Sequence, residues 1–272
     1  PKRERATLRW RRLWAAAIVL LATIWMGPIG PPAGPWPKGV AALGGPAYLP
    51  FVARAPVDDP PHIDEKYATL IIEGNPETRP AAEHPDLNLA LRGYRQVDAF
   101  GGLVDYGGEA DSHPPQLVGL LGRLPVIRGT YQVYDWDWAR MAPSEPIASP
   151  AVTLITLGAD RYELVRVPDA GRIIDRRGYQ ALVLYAESSR ITLKYTREDD
   201  VRIGYTLHLQ GVCVDPPLLA LYNALEADGR GRLPALRAGQ AFGRAKGTAL
   251  GLSIRDCGCW MDPRLCADWW RQ

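Results

Sequence analysis

The chain has 272 residues, enough for one large domain or two small ones. Its 27 glycines and 25 prolines favour turn-rich β structure over a helical bundle. The net charge of +2 is unevenly placed: residues 1–12 hold six basic side chains against Glu4, and the rest holds 26 basic against 29 acidic. No basic stripe with interleaved aromatics follows, which argues against nucleic acid as a partner.

In chain order, the basic cluster ends at Arg11 and Arg12 and abuts "LWAAAIVLLATIWMGPIG", residues 13–30, which has no charged side chain. Eighteen residues at a helical rise span about 27 Å, close to the hydrocarbon thickness of a bilayer. Trp14 and Trp25 stand near the two ends, where indole rings prefer the headgroup region. The positive-inside rule then predicts a cytoplasmic tail (1–12), a transmembrane helix (13–30) and an extracytoplasmic remainder in a single-pass protein of the cell membrane. A cleaved signal peptide shares this charge pattern, but the run is long and no clean small-x-small site follows it.

Residues 31–66 read as a Pro-rich extended arm, with ten prolines between Pro28 and Pro61. The arm is either a spacer or a docking strip. Trp36, Tyr48, Leu49 and Phe51 are more apolar than a spacer needs and are the candidates for contact with a partner.

Residues 67–272 read as a mainly β, sandwich- or barrel-like antiparallel domain with one inserted helix. Strands are predicted at 67–74, 87–94, 130–138, 179–186, 190–196 and 203–214, with more near 248–255. Segments 152–157 and 162–167 read as a hairpin around Gly158–Asp160. Within 130–138, Tyr134, Trp136 and Trp138 alternate onto one face and Asp135 and Asp137 onto the other. The aromatic face is a buried strand face or a platform for glycan rings. Asp215 as cap, Pro216 and Pro217 in the first turn, a stripe of Leu218, Leu221, Tyr222 and Leu225, and Gly229 as stop predict a helix.

Four cysteines, Cys213, Cys257, Cys259 and Cys266, suit two disulfides in an extracytoplasmic domain. The expected pairing is Cys259–Cys266 and Cys213–Cys257. Free thiols and a metal site are the alternatives, the latter weakened by the lack of Cys-x-x-Cys. Asp105, Asp111, Asp135 and Asp137 have no spacing that demands calcium or a glycosidase pair. Ser188 and Ser189 fall in a hairpin turn without a nucleophile motif. No phosphate-binding or dinucleotide motif occurs.

"VRVPDAGRII", "YQALVLYA", "RITLKYT", "GYTLHL", "LRAGQAFGRA" and "ALGLSIRD", within residues 165–256, resemble in order the strands and Gly-Gln-x-x-Gly turn of lysostaphin-type zinc peptidases, a duplicated hybrid motif fold. The resemblance covers about a third of the chain, and the helix at 215–227 departs from it. The family binds zinc through His-x-x-x-Asp and His-x-His, and neither is present: His62, His84 and His113 have no Asp four places on, and His208 begins His-Leu-Gln. The resemblance therefore implies a degenerate peptidase fold without catalytic zinc, and His208 reads as a core histidine. A looser resemblance, of the C-terminal "RDCGCWMDPRLCADWW" and "ITLKYTREDDV", is to uncharacterised membrane-anchored proteins of Chloroflexota, and it carries no activity. Together these readings predict a non-catalytic accessory or scaffold subunit of a larger membrane complex, such as a respiratory or photosynthetic assembly, with no cofactor of its own. Its partners would be the bilayer and other membrane subunits. The alternative is a cell-wall-associated protein that binds glycan or peptide.

Overall fold

The computed structural model describes residues 59–106 and 108–271. Trp14, Trp25, Arg11 and Arg12 of the expected anchor, and Trp36, Tyr48, Leu49 and Phe51 of the arm, lie outside the described residues. Among the described residues no helix is long and apolar enough to cross a membrane.

The domain is mainly β. Its strands are β1 (Ala68–Ile71), β2 (Tyr94–Gln96), β3 (Ile127–Asp137), β4 (Ala142–Pro146), β5 (Leu154–Gly158), β6 (Leu164–Arg166) and β7 (Ala181–Glu187). They continue with β8 (Arg190–Lys194), β9 (Tyr205–Gln210), β10 (Val212–Val214), β11 (Arg232–Leu236), β12 (Ala241–Ala245), β13 (Ala249–Asp256) and β14 (Cys259–Met261). Three short α-helices, α1 (Val118–Leu121), α2 (Pro216–Ala227) and α3 (Cys266–Trp269), and two single-turn 3-10 helices at 81–83 and 89–91 complete it. Eleven strands form one antiparallel sheet in the order β1-β11-β7-β8-β9-β13-β5-β3-β2, with β14 on β13 and β4 on β3. The strands β10-β12-β6 form a second sheet.

Runs of apolar residues wrapped by tight turns produce β7 and β8, and Ser188 and Ser189 make the turn between them, as the sequence predicts. Alternation then sorts the faces. Ile191 and Leu193, Leu207 and Leu209, and Leu252 and Ile254 enter one core shared with Val165, Val212 and Phe242 of the small sheet. Each fully buried aliphatic side chain of this kind contributes about 1.5–3 kcal/mol. β9 and β10 are separated at Gly211, whose φ of +78° suits only glycine, and a Cβ there would meet the Ala249 carbonyl at 2.9 Å.

Several expectations are corrected. Segments 152–157 and 162–167 are not a hairpin: β5 pairs with β13 and β3, while β6 pairs with β12 in the other sheet. Residues 87–94 form a 3-10 turn before β2 rather than a strand, with Asn88 capping the turn through its side chain. β11 and β12 escape the sequence pattern because Pro234 and Gly243 interrupt them. Helix α2 stands where expected, with Leu218 and Tyr222 buried. However, Asp215 does not cap it through the side chain; its carboxylate accepts the Tyr67 hydroxyl at 2.8 Å. The helix is tied down beyond its C-terminus by Arg230, which binds Asp199 at 2.5 and 2.8 Å and the Leu184 carbonyl at 2.8 Å.

The expected disulfides are absent: Cys213, Cys257, Cys259 and Cys266 are all free. Cys213 lies in β10, past the Gln210 end of β9, whereas Cys257 bonds through its N–H to Gly204, just before the Tyr205 end. The six residues of β9 between them span about 20 Å, far beyond the ~7 Å limit between bridged Cα atoms. Cys259 and Cys266 are likewise unbridged; Cys266 opens α3, where its N–H bonds to the Val104 carbonyl.

Residues 59–66 run as extended chain over the small sheet. Arg244 Nε donates to the Pro61 carbonyl at 2.7 Å, and Glu65 accepts the N–H of Ala241 at 3.3 Å. At the far edge of the large sheet, Thr69 of β1 faces Pro234, which has no N–H to give. The Thr69 carbonyl is met by Arg177 at 3.2 Å and that of Ile71 by Arg197 at 2.6 Å.

Candidate functional site

One face of the large sheet is apolar, and the other combines rows of polar side chains with a small apolar cluster of Leu89, Val133 and Leu154. Thr192, His208 and Ser253 stand in register across β8, β9 and β13, and Lys194, Thr206 and Arg255 form the next row. All six are buried. Parallel rows of buried polar side chains are unusual in a core, since each needs a hydrogen-bond partner.

Two of the six, Thr192 and Arg255, find partners in residues 84–92, a segment far away in sequence. Thr192 Oγ1 donates to the Leu87 carbonyl at 2.7 Å and lies 3.1 Å from His208 Nδ1. A hydroxyl has one proton, so His208 Nδ1 carries the hydrogen of the second bond, and Nε2 is a bare acceptor. Nε2 is buried and has no partner, and neither have Thr206 Oγ1 and Ser253 Oγ. Burial first, and then the Arg255 charge, lower the imidazole to a pKa of about 3. Beside it is a cavity of about 10 Å³, lined by Leu89, Tyr185, Thr192 and His208 among others. Lys194 donates to the Ile203 carbonyl, and burial lowers it to about 8.

Asp86 fastens this cover. Its Oδ1 accepts Nη2 of Arg92 and Nη1 of Arg255, both at 2.6 Å. Burial would raise the carboxyl, but the charge and hydrogen bond of Arg255, then those of Arg92, overcome it and bring it to about 2. Trp260, on β14, lies under both guanidinium groups, at 4.7 Å from Arg255 and 5.7 Å from Arg92, with the His208 ring 5.8 Å away. His208 is thus a hydrogen-bonded core residue, as the sequence predicts. Among the described residues no group of three or more His, Cys, Asp or Glu could hold a metal.

A second, open feature lies beside the cover. A cleft of about 220 Å³ is lined by Glu77, His84, Trp138, Asp200, Val201 and Arg202, together with Asp86, Leu87 and Asp199. Trp138, at the end of β3, is 49% exposed. His84 packs edge-on against it with centroids 5.6 Å apart, Trp136 does the same at 6.5 Å, and the Arg79 guanidinium sits 5.8 Å from its ring. His84 Nδ1 accepts the Asp86 N–H at 3.1 Å, which places the hydrogen on Nε2, 3.3 Å from Glu77 Oε2. Burial lowers the His84 pKa, against the pull of Glu77.

Of the expected aromatic platform the structure brings together Trp136 and Trp138. Tyr134 is half-buried further along β3 and does not line the cleft. His84 and Glu77, which complete the cleft, carry no sequence signal: they lie outside any strand, and the cleft forms only when 77–87 folds over 199–202. Comparison with protein-family models, with curated proteins and with solved structures gives no match.

Proposed function

We propose that the chain is a non-catalytic, single-pass membrane-anchored accessory subunit whose sandwich-like β domain is a binding scaffold outside the cytoplasm. The observation that carries this reading is the cover over the polar sheet face. The face holding His208, on the strand that the resemblance aligns with the family's Tyr-x-His-Leu strand, is occupied by Leu87 and latched by Asp86 between two arginines. A face built to admit substrate leaves its histidine reachable; here the imidazole nitrogen is buried under a salt-bridged segment. Anchoring rests on the uncharged run 13–30 after six basic residues. The test is mild detergent extraction followed by identification of co-purifying subunits. A stable stoichiometric complex, lost when residues 31–58 are deleted with the anchor kept, is the expected result. A lone monomer in mild detergent sinks the reading.

A glycan-binding role has one observation in its favour, the half-exposed Trp138 over a cleft edged with carboxylates. An indole face stacks on sugar rings while carboxylates accept their hydroxyls. Titration of cell-wall glycan fragments against tryptophan fluorescence decides it: this reading requires saturable quenching that Trp138→Ala abolishes.

A further inference from the structure

Residues 59–272 hold 24 basic and 28 acidic side chains, yet one edge of the large sheet is basic. Arg177 and Arg197 are fixed on the backbone of β1, and Arg232 binds Thr69 Oγ1 at 2.8 Å. Arg237 lies 4.0 Å from the centroid of the Tyr179 ring and donates to the Arg177 carbonyl. Two of these charges are offset, Arg197 by Glu73 at 2.9 Å and Arg177 by Asp175 at 2.9 Å. Arg172, Arg232 and Arg237 have no carboxylate within 4.0 Å among the described residues.

Next to this edge is an open groove of about 460 Å³, lined by Arg172, Arg197, Ile173 and Ile203 along with Glu73 and Glu198. Ile173 is 54% exposed, Ile203 51%, and Ile71 on β1 58%. Large aliphatic side chains standing out between arginines are a costly way to finish a surface unless something covers them.

We propose that this edge docks on an anionic lipid surface. Guanidinium forks match phosphate oxygens, and Arg232 and Arg237, without a carboxylate among the described residues, are already held by Thr69 Oγ1 and the Arg177 carbonyl, so little ordering is lost on contact. The isoleucines sit among the arginines rather than in a charge-free patch. Interleaved basic and aliphatic groups suit the boundary between headgroups and acyl chains, whereas the core of a protein interface is depleted of charge. The docking does not require residues 13–30 to span the bilayer.

The test uses the full chain with phosphatidylcholine vesicles, with and without phosphatidylglycerol, and follows amide hydrogen exchange over 171–178 and 196–204. Slower exchange in both segments is expected only with phosphatidylglycerol present, and it should be reversed by high salt. Each arginine near an anionic surface is worth about fivefold in partition. The double variant Arg172→Glu/Ile173→Ser, both at exposed positions, should keep the thermal midpoint and lose the protection. Equal exchange in the two lipid compositions overturns the proposal. So does protection by an acidic polypeptide such as polyglutamate without protection by the anionic vesicles, which would assign the edge to a protein partner. Flotation with neutral vesicles reports separately on the N-terminal run.

Discussion

Asp86 Oδ1 lies 2.6 Å from Arg255 Nη1, 169 residues away in the chain, and through this one contact the segment over the polar face is joined to β13. Replacing Asp86 by Ala leaves Arg255 buried without a carboxylate partner among the described residues, and Arg92 with only the exposed Asp135 at 3.3 Å. A loss of about 3 kcal/mol is expected, read from the denaturant midpoint. The double variant Asp86→Ala/Arg255→Met should recover part of it. Protease should cut near residues 80–92 sooner in the single variant. Because Asp86 is held at about 2 in the fold, its contribution is full above about pH 4 and is lost as pH falls through 2.

His208 gives a second acid response in a different window. The folded protein keeps it neutral down to about pH 3, while the unfolded chain takes up the proton near 6.5. Between those values the unfolded state binds more protons, so stability falls as pH is lowered from 6.5 toward 3, by roughly 4 kcal/mol over the interval. Urea melts at pH 7, 5.5 and 4 measure the slope, and His208→Gln should flatten it by close to one proton.

Lys194 poses the same problem at higher pH. It is buried and donates to the Ile203 carbonyl, and its pKa of about 8 leaves it charged at neutral pH at the cost of burying that charge. The penalty is full below pH 8 and disappears above about 10.5, where the lysine is neutral in both states. Lys194→Met should therefore stabilise the domain at pH 7 by about 1–3 kcal/mol, and the gain should shrink as pH rises from 8. An unchanged gain at pH 10.5 would show that packing, not charge, is responsible.

The free cysteines make a chemical prediction. Cys257 and Cys259 are exposed, Cys213 and Cys266 half-buried. Iodoacetamide should label the first pair quickly in the absence of reductant and the second pair slowly, with all four modified after unfolding. Mass spectrometry of the intact chain counts the adducts.

Sequence pattern reached the parts of the fold that local chemistry decides. The alternation of "TYQVYDWDW", the apolar runs of β7 and β8, and the Asp-Pro-Pro start of α2 each report on neighbours a few residues apart. Partner choice is different. Whether β6 joins β5 or β12 depends on packing across the core, and nothing in "YELVRV" encodes it. β11 contains Pro234 and β12 contains Gly243, residues that weaken any strand pattern; Gly243 fits because a Cβ there would meet Val212 Cγ1 at 2.5 Å and the Cys213 carbonyl at 2.7 Å. The site was legible only in pieces. His208 read correctly as a core histidine because the companion zinc-ligand motifs are missing, and Trp136 and Trp138 read correctly as neighbours. Asp86, Arg92 and His84 gave no warning, because charged residues between strands look like solvated surface until a distant strand, here β13 with Arg255, meets them.

The arginines along β1 also bear on how copies of the chain meet one another. A bare edge strand is a template on which a second molecule can extend the sheet, the first step toward ordered aggregates. Here Arg177 and Arg197 occupy the carbonyls of Thr69 and Ile71 that a newcomer would need. An approaching copy of the same edge also brings Arg232 and Arg237, which have no carboxylate partner among the described residues, and like charges repel. The Arg177 and Arg197 contacts disfavour growth of the eleven-stranded sheet at this end.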